Sequence, residues 1–239
     1  MQRQLIYCCF SLLCFTAASQ KTVDVDKEPG RTGGAVNYLY TVAGTPFLSA
    51  KFARVVEGSP FFNEQLMRGA IILSEGKEYK NIMLRLNLLE SQVNFLNEKE
   101  VELIASTPIR EVVVWDTIFN NDHRFIFSEY IETTDKPEKD FYELIQTGKA
   151  ELYKQHKKRV LENRPYGSAT FEQTIQTNYR FYVLLNGKWN KLNKLKDIPS
   201  AFPDKKDEIS KFIDEKKLSG DNEKNFLSVV NYYNSLVSQ

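Results

Sequence analysis

Between residues 68 and 131 the chain alternates apolar and polar side chains, with only short polar breaks. No other feature restricts its fold as much. Ala70-Ile71-Ile72-Leu73 leads into a turn at Glu75-Gly76-Lys77, after which Ile82, Leu84, Leu86 and Leu88 alternate with Met83, Arg85 and Asn87. A period of two places the four aliphatics on one face of a strand. Glu90-Ser91 turns the chain into Val93 and Phe95, and Asn97-Glu98-Lys99-Glu100 turns it into Val101, Leu103 and Ala105. Val112-Val113-Val114-Trp115 and Arg124-Phe125-Ile126-Phe127 follow, rich in the β-branched and aromatic residues that suit a pleated surface. Connections this short predict an antiparallel meander, because a parallel crossover needs a dozen residues or more.

A polar break at residues 134–140 precedes Phe141-Tyr142-Glu143-Leu144-Ile145 and Ala150-Glu151-Leu152-Tyr153-Lys154, which read as two strands around Thr147-Gly148-Lys149. A basic run and an irregular stretch around Arg164-Pro165-Tyr166-Gly167-Ser168 come next. Tyr179, Phe181, Val183 and Leu185 then alternate up to Asn186-Gly187, the preferred pair for a two-residue type I′ turn, and Lys188-Trp189-Asn190-Lys191-Leu192 returns from it. Upstream, Gly44-Thr45-Pro46-Phe47-Leu48 and Gly58-Ser59-Pro60-Phe61-Phe62 each predict a tight turn that delivers an aromatic inward.

The tail changes period. Asp204 can cap a helix carrying Ile209, Phe212 and Ile213 on one stripe, with Gly220 to end it, and Asp221 or Asn222 can cap a second carrying Phe226, Val229, Val230 and Tyr233. The fold class expected is α+β, with antiparallel β-meanders and a C-terminal α-helical hairpin.

All three cysteines, Cys8, Cys9 and Cys14, lie in the first fourteen residues. Arg3, the apolar run from Leu5 to Phe15 and the small residues Ala17-Ala18-Ser19 form an export signal with cleavage expected near Ser19. The run is too short to cross a hydrocarbon core of roughly 30 Å, and no later apolar run is long enough to be a transmembrane segment. The mature chain is therefore expected in the periplasm or outside the cell, without disulfides, thiolate metal sites or a cysteine nucleophile. Residues 1–19 are read as signal peptide, 20–35 as a flexible leader, 36–133 as a β-meander region and 141–239 as a second β region with helices. The two β regions are either one continuous domain or two. Loss of Arg3 leaves 31 basic residues against 31 acidic ones, a balance that gives no long-range attraction for nucleic acid.

Residues 51–118, with Lys51-Phe52-Ala53-Arg54-Val55-Val56-Glu57-Gly58-Ser59-Pro60-Phe61-Phe62 and Leu84-Arg85-Leu86-Asn87-Leu88, have a familiar look, as does the tail with Phe202-Pro203-Asp204-Lys205-Lys206 and Tyr232-Tyr233-Asn234. Together they resemble a group of uncharacterised secreted proteins from Bacteroidetes-type bacteria. The resemblance covers about half of the chain and rests on turns and core residues. It implies kinship of fold and export, with no activity and no catalytic residue to carry over.

His123 and His156, the only histidines, stand 33 residues apart and match no zinc spacing, so neither a metal nor a cofactor is expected. Asp122-His123 is accounted for by a surface turn into Phe125. Nucleophile-elbow, phosphate-loop and dinucleotide motifs are absent from the sequence. Tyr153, Lys154, Lys157, Lys158 and Arg159 form a basic, tyrosine-bearing segment suited to gripping an anionic glycan or phospholipid head group. The same charges would also serve as the solubilising edge of a sheet. Tyrosine is useful at such wet surfaces because it joins apolar area to a hydroxyl. The function expected is that of a soluble, non-enzymatic envelope protein binding a protein, glycan or lipid partner. The alternatives are a secreted hydrolase working through carboxylates and, less well matched to the charged tail helices, an outer-membrane barrel.

Overall fold

The computed structural model describes residues 22–24, 44–46, 53–116, 121–164, 166 and 171–238. The export pattern at residues 1–19, most of the polar leader, and Phe47 and Leu48 of the first proline turn lie outside them. Among the described residues thirteen strands form one sheet: β1 (Thr22–Asp24), β2 (Gly44–Pro46), β3 (Ala53–Glu57), β4 (Met67–Leu73), β5 (Glu78–Asn87), β6 (Gln92–Leu96), β7 (Glu102–Ala105), β8 (Ile109–Asp116), β9 (Asn121–Phe127), β10 (Phe141–Gln146), β11 (Ala150–Asn163), β12 (Phe171–Leu185) and β13 (Lys188–Leu192). Their order is β13-β12-β11-β10-β9-β8-β4-β5-β6-β7-β2, with antiparallel pairing along this path. Two further strands run parallel to their neighbours, β1 beside Glu78–Lys80 of β5 and β3 beside the start of β12. Helices α1 (Lys206–Glu215) and α2 (Glu223–Val237) follow the sheet. The fold is thus a sheet-dominated, mostly antiparallel α+β arrangement. The polar break at 134–140 does not interrupt it, because β9 and β10 pair across the break.

One face of β4 to β10 carries the first core, including Ile71, Leu84, Leu86, Phe95, Val112 and Phe125, each at most 1% exposed. A bulge in the β4–β5 ladder, where Asn81 takes φ 61°, keeps Tyr79 and Leu84 in this one cluster although their spacing is odd. What closes the core is the segment after β3. Gly58 (φ 77°) lies so close to β12 that a Cβ there would stand 2.0 Å from the Ile175 carbonyl oxygen. Three residues on, Phe61 bridges to Asn87 of β5, and Phe62 N–H donates to the Leu86 carbonyl (2.8 Å). Three residues reach about 11 Å at most. The six inter-strand steps from β12 to β5 would measure roughly 29 Å if laid flat. The sheet must therefore curl, and the segment straps its concave side.

The second core lies on the same concave face, where Leu152, Val183, Ile209, Phe226, Val229 and Val230 are at most 1% exposed. Here α1 and α2 supply the cover, with Phe212 stacked on Tyr232 at 4.1 Å. The Asn222 side chain caps α2 by accepting from Asn225 N–H (3.1 Å), while Asp221 takes Leu195 N–H instead (2.7 Å). Near the C-terminus of α2, Asn234 clasps the backbone of Ala150, accepting from its N–H (2.8 Å) and donating to its carbonyl (2.9 Å). Asp204 is not a cap. Pro203 opens a short 3₁₀ turn ahead of α1, and Asp204 accepts from the Tyr233 hydroxyl (3.1 Å). The first helix ends before Gly220, at Lys217 (φ 50°), with Leu218 N–H returning to the Ile213 carbonyl. On the opposite, convex face Tyr142, Tyr153, Tyr182 and Leu184 form a third cluster with Trp189, whose ring stacks on Tyr182 at 5.0 Å.

Asn186 (φ 51°) and Gly187 (φ 77°) form the two-residue turn between β12 and β13, with Leu185 facing Lys188. The Gly187 carbonyl accepts from Thr133 Oγ1 (2.8 Å) and Thr134 N–H (2.8 Å), so the turn also anchors the 128–140 connection. Gly187→Val forces a β-branched side chain to positive φ and is expected to cost on the order of 1–2 kcal/mol. A urea denaturation midpoint equal to that of the parent would contradict this account of the turn.

Candidate functional site

Between the two concave cores the sheet presents a row of polar side chains instead of apolar ones. Strand register explains the row. Glu143 on β10 sits opposite Phe125 on β9 and opposite Lys154 on β11. His123 and His156 each stand two residues further along the neighbouring strands, so both are diagonal neighbours of Glu143 on the same face. His156 in turn faces Tyr179 on β12. Four adjacent strands thus bring together both histidines of the chain, one glutamate, one lysine and one tyrosine.

The contacts are short and directional. His123 Nδ1 lies 2.5 Å from Glu143 Oε1, and His156 Nε2 lies 2.5 Å from Glu143 Oε2. Lys154 Nζ stands 3.8 Å from Oε2 and donates to Glu223 at the start of α2 (2.7 Å). It also sits 4.6 Å from the centre of the Tyr179 ring. Phe62, carried on the strap, meets His123 and His156 edge-on at 4.8 and 5.4 Å. The Glu143 side chain is 6% exposed and that of His156 7%, so this charge is held almost out of water.

Burial by itself would raise the Glu143 pKa. Hydrogen bonds from the two rings and the charge of Lys154 outweigh it and hold the carboxyl at about 2. An ionised carboxylate only accepts, so both facing ring nitrogens carry protons. The rings nevertheless diverge. The hydrogen bond to Glu143 raises the His123 pKa above 6.5 against the opposing effect of burial. Burial lowers that of His156 below 6.5 despite the same partner. The row thus holds an ionised carboxylate between two imidazoles whose pKa values are pushed in opposite directions, with Lys154 on its outer side. It does not resemble a metal centre, since the two ring nitrogens face different oxygens and Lys154 already occupies the carboxylate's outer side. Among the described residues no group of histidine, cysteine and carboxylate ligands is arranged to hold a metal ion.

The five residues predicted from sequence divide between two faces of β11. Tyr153, Lys157 and Arg159 point to the convex side. There Tyr153 is 3% exposed, packed on Trp189 at 5.0 Å and donating its hydroxyl to Glu151 (2.7 Å). Lys157 pairs with Glu138 (2.8 Å), which Arg180 shares (3.2 Å), and Arg159 is exposed. Lys154 and Lys158 point to the concave side with His156. Burial lowers the Lys158 pKa, and it makes no ion pair among the described residues. Sequence reasoning left out His123, Glu143 and Tyr179. The surface turn expected for His123 is instead the middle of β9. The signal available was parity: His123 alternates in step with Phe125, Glu143 with Phe141, and His156 with Leu152, all of them core residues.

No family model, no curated protein and no solved structure matches this chain.

The opposed shifts set the pH dependence. The lowered Glu143 value contributes stability that is present above about pH 4.3 and lost as pH falls toward 2. The raised His123 value contributes stability that is full below 6.5 and lost as pH rises through its folded pKa. His156 costs stability on the acid side, where the unfolded chain takes up a proton that the buried ring refuses. Followed by its ring proton signals in NMR, His123 is expected to titrate above 6.5 and His156 below it; coincident curves would dissolve the site. Glu143→Ala strands both rings and Lys154 and is expected to cost on the order of 3–5 kcal/mol in a denaturant titration.

Proposed function

We propose that this chain is an exported envelope protein that binds a partner and does not turn one over, the partner being a protein, glycan or lipid that offers an anionic group to the concave stripe beside Glu143. The observation that carries the reading is Lys158. It is half-buried, its pKa lowered by burial against the opposing charge of Glu64, it forms no ion pair within 4 Å among the described residues, and its diagonal neighbour on the same face is Tyr179, 57% exposed. A desolvated cation beside an open aromatic ring recovers its lost hydration when an anion docks. The alternative, a carboxylate-dependent hydrolase, is supported less well. The carboxylate that the fold gathers with histidines is engaged by two ring donors, faced by Lys154 and held ionised, whereas a general acid must carry a proton near its working pH. Export rests on Arg3, the Leu5 to Phe15 run and Ala17 to Ser19, and kinship with secreted Bacteroidetes-type proteins on the turn and core residues quoted above. That no helix among the described residues is long and apolar enough to cross a membrane agrees with this reading.

Two measurements test it. Intact mass of the protein recovered from outside the cytoplasm is expected to lack residues 1–19 and to carry no lipid; a diacylglycerol on Cys14 would defeat the soluble assignment. Binding is tested by calorimetry against a uronate oligosaccharide, phosphatidylglycerol vesicles and a glutamate-rich peptide. Lys154 is a poor choice for substitution because it also holds Glu143. Lys158→Gln and Tyr179→Ala are expected to lower affinity for the preferred probe about tenfold, the scale of one charge-assisted hydrogen bond, with an unchanged thermal midpoint. Equal affinity in the variants, or no binding to any probe, would refute the reading.

A further inference from the structure

A second surface, remote in kind from the concave stripe, lies at the end of the sheet. β13 is the terminal strand and, among the described residues, pairs only with β12. Leu185 faces Lys188 across the two-residue turn as a hydrogen-bonded pair, so pairing alternates, and Trp189 and Lys191 turn their backbone groups away from β12. Trp189 confirms this, because its N–H donates outward to Asp135 Oδ2 (2.7 Å). Beyond that cap, the Trp189 carbonyl and both backbone groups of Lys191 have no hydrogen-bond partner among the described residues. The opposite end of the sheet differs: β2 spans three residues and finishes in Pro46, which has no N–H to offer.

Charge and shape single out the same edge. Lys188, Lys191, Lys194 and Lys196 are all exposed, and none makes an ion pair among the described residues. In a chain with 32 basic and 31 acidic residues, four uncompensated lysines within nine positions form a local excess. A groove of about 350 Å³ runs beside the strand, lined by Trp189, Lys191, Asn193, Asp197 and Ser200 among others. Lysines along an open edge repel a second copy of that edge, so they disfavour self-pairing. They do not disfavour a strand of opposite charge.

We infer that the outer edge of β13 is a docking site for an extended, acidic segment of a partner protein, which adds to the sheet as one more strand. Main-chain hydrogen bonds to Trp189 and Lys191 supply the pairing, and the four lysines select carboxylate side chains. Asp135 closes one end and so fixes where pairing begins.

The probe is an acetylated and amidated heptapeptide alternating glutamate and valine, labelled for fluorescence anisotropy and titrated with the full chain. Its counterpart carries N-methyl groups on alternate backbone nitrogens, which keeps the charge and removes strand pairing. The alternating peptide is expected to bind, and the N-methylated one at least tenfold more weakly. Lys191→Pro removes the outward N–H at an edge position that tolerates proline, and is expected to weaken binding to a similar extent with an unchanged thermal midpoint. Double reversal, Lys191→Glu with Lys194→Glu, is expected to transfer preference to an alternating lysine and valine peptide. Lys158→Gln is expected to leave all of this intact, which separates the edge from the concave stripe. No binding, or equal binding of the two glutamate peptides, would overturn the inference; the latter would reduce it to general charge attraction. Because the peptide comparison uses the unaltered protein, the test holds even if Lys191→Pro unfolds.

Discussion

The shape of this protein depends on how little chain is available to cross its concave side. From Gly58 against β12 to Phe61 against β5, three residues cover a gap that a flat sheet would make more than twice as wide. Curling is the only solution, and much else follows from it. Among the described residues the first core has no helical layer of its own; strands from one side of the curl pack against strands from the other, with Phe62 packed against them. Phe62 reaches both histidines only because the strap carries it there. A polar row that would face water on a flat sheet is thereby enclosed.

Enclosing charge is costly, and the Glu143 row shows how the cost is offset. Two ring donors and an ammonium compensate one carboxylate, while Phe62 and Phe125 pack against the rings. Well-packed apolar residues of similar volume would stabilise such a site as well or better. What the ionic row provides is intolerance of error. A one-residue slip of β10 would send Glu143 to the convex face beside Tyr153, Tyr182 and Trp189, and would break the contacts to both histidines and Lys154 together. The convex face has a comparable device in Glu111, buried and held by both arms of Arg124 (2.5 and 2.9 Å).

Much of the sheet was legible in the sequence because alternation is a local property. Leu84, Leu86 and Leu88 were assigned to one face, and all three are buried there. The inner stripe of the second helix, Phe226, Val229, Val230 and Tyr233, was legible for the same reason at the other period. Register between strands is not local, and the site is made of register. Nothing near His123 in sequence announces that Glu143 will lie diagonal to it. The alternation that marks a strand at Ala150 to Lys154 fades in the basic run that follows, yet β11 continues to Asn163 because β12 pairs with it over that whole length. The charges around Tyr153 suggest a surface group, yet its own parity places it beside Tyr182 and Trp189. In the tail, Lys217 accepts the left-handed conformation that glycine was expected to supply, so the first helix stops earlier than its composition suggests.

The strap has a consequence in time as well as in space. Ala53 pairs with Phe171, so 171 minus 53, or 118 residues, separate the partners that close the curl. A polypeptide made from its N-terminus presents β3 long before β12 exists to receive it. Pairings that span so much chain pay their loop-closure entropy late and form slowly. The local hairpins of the meander can assemble first, leaving a half-open sheet whose apolar face and unscreened Glu143 both meet water. In that interval the carboxylate keeps its hydration, and its two histidines are ordinary surface groups. Closure of the strap then takes water from the ionic row, so a contact of long sequence separation also sets the chemistry of the interior.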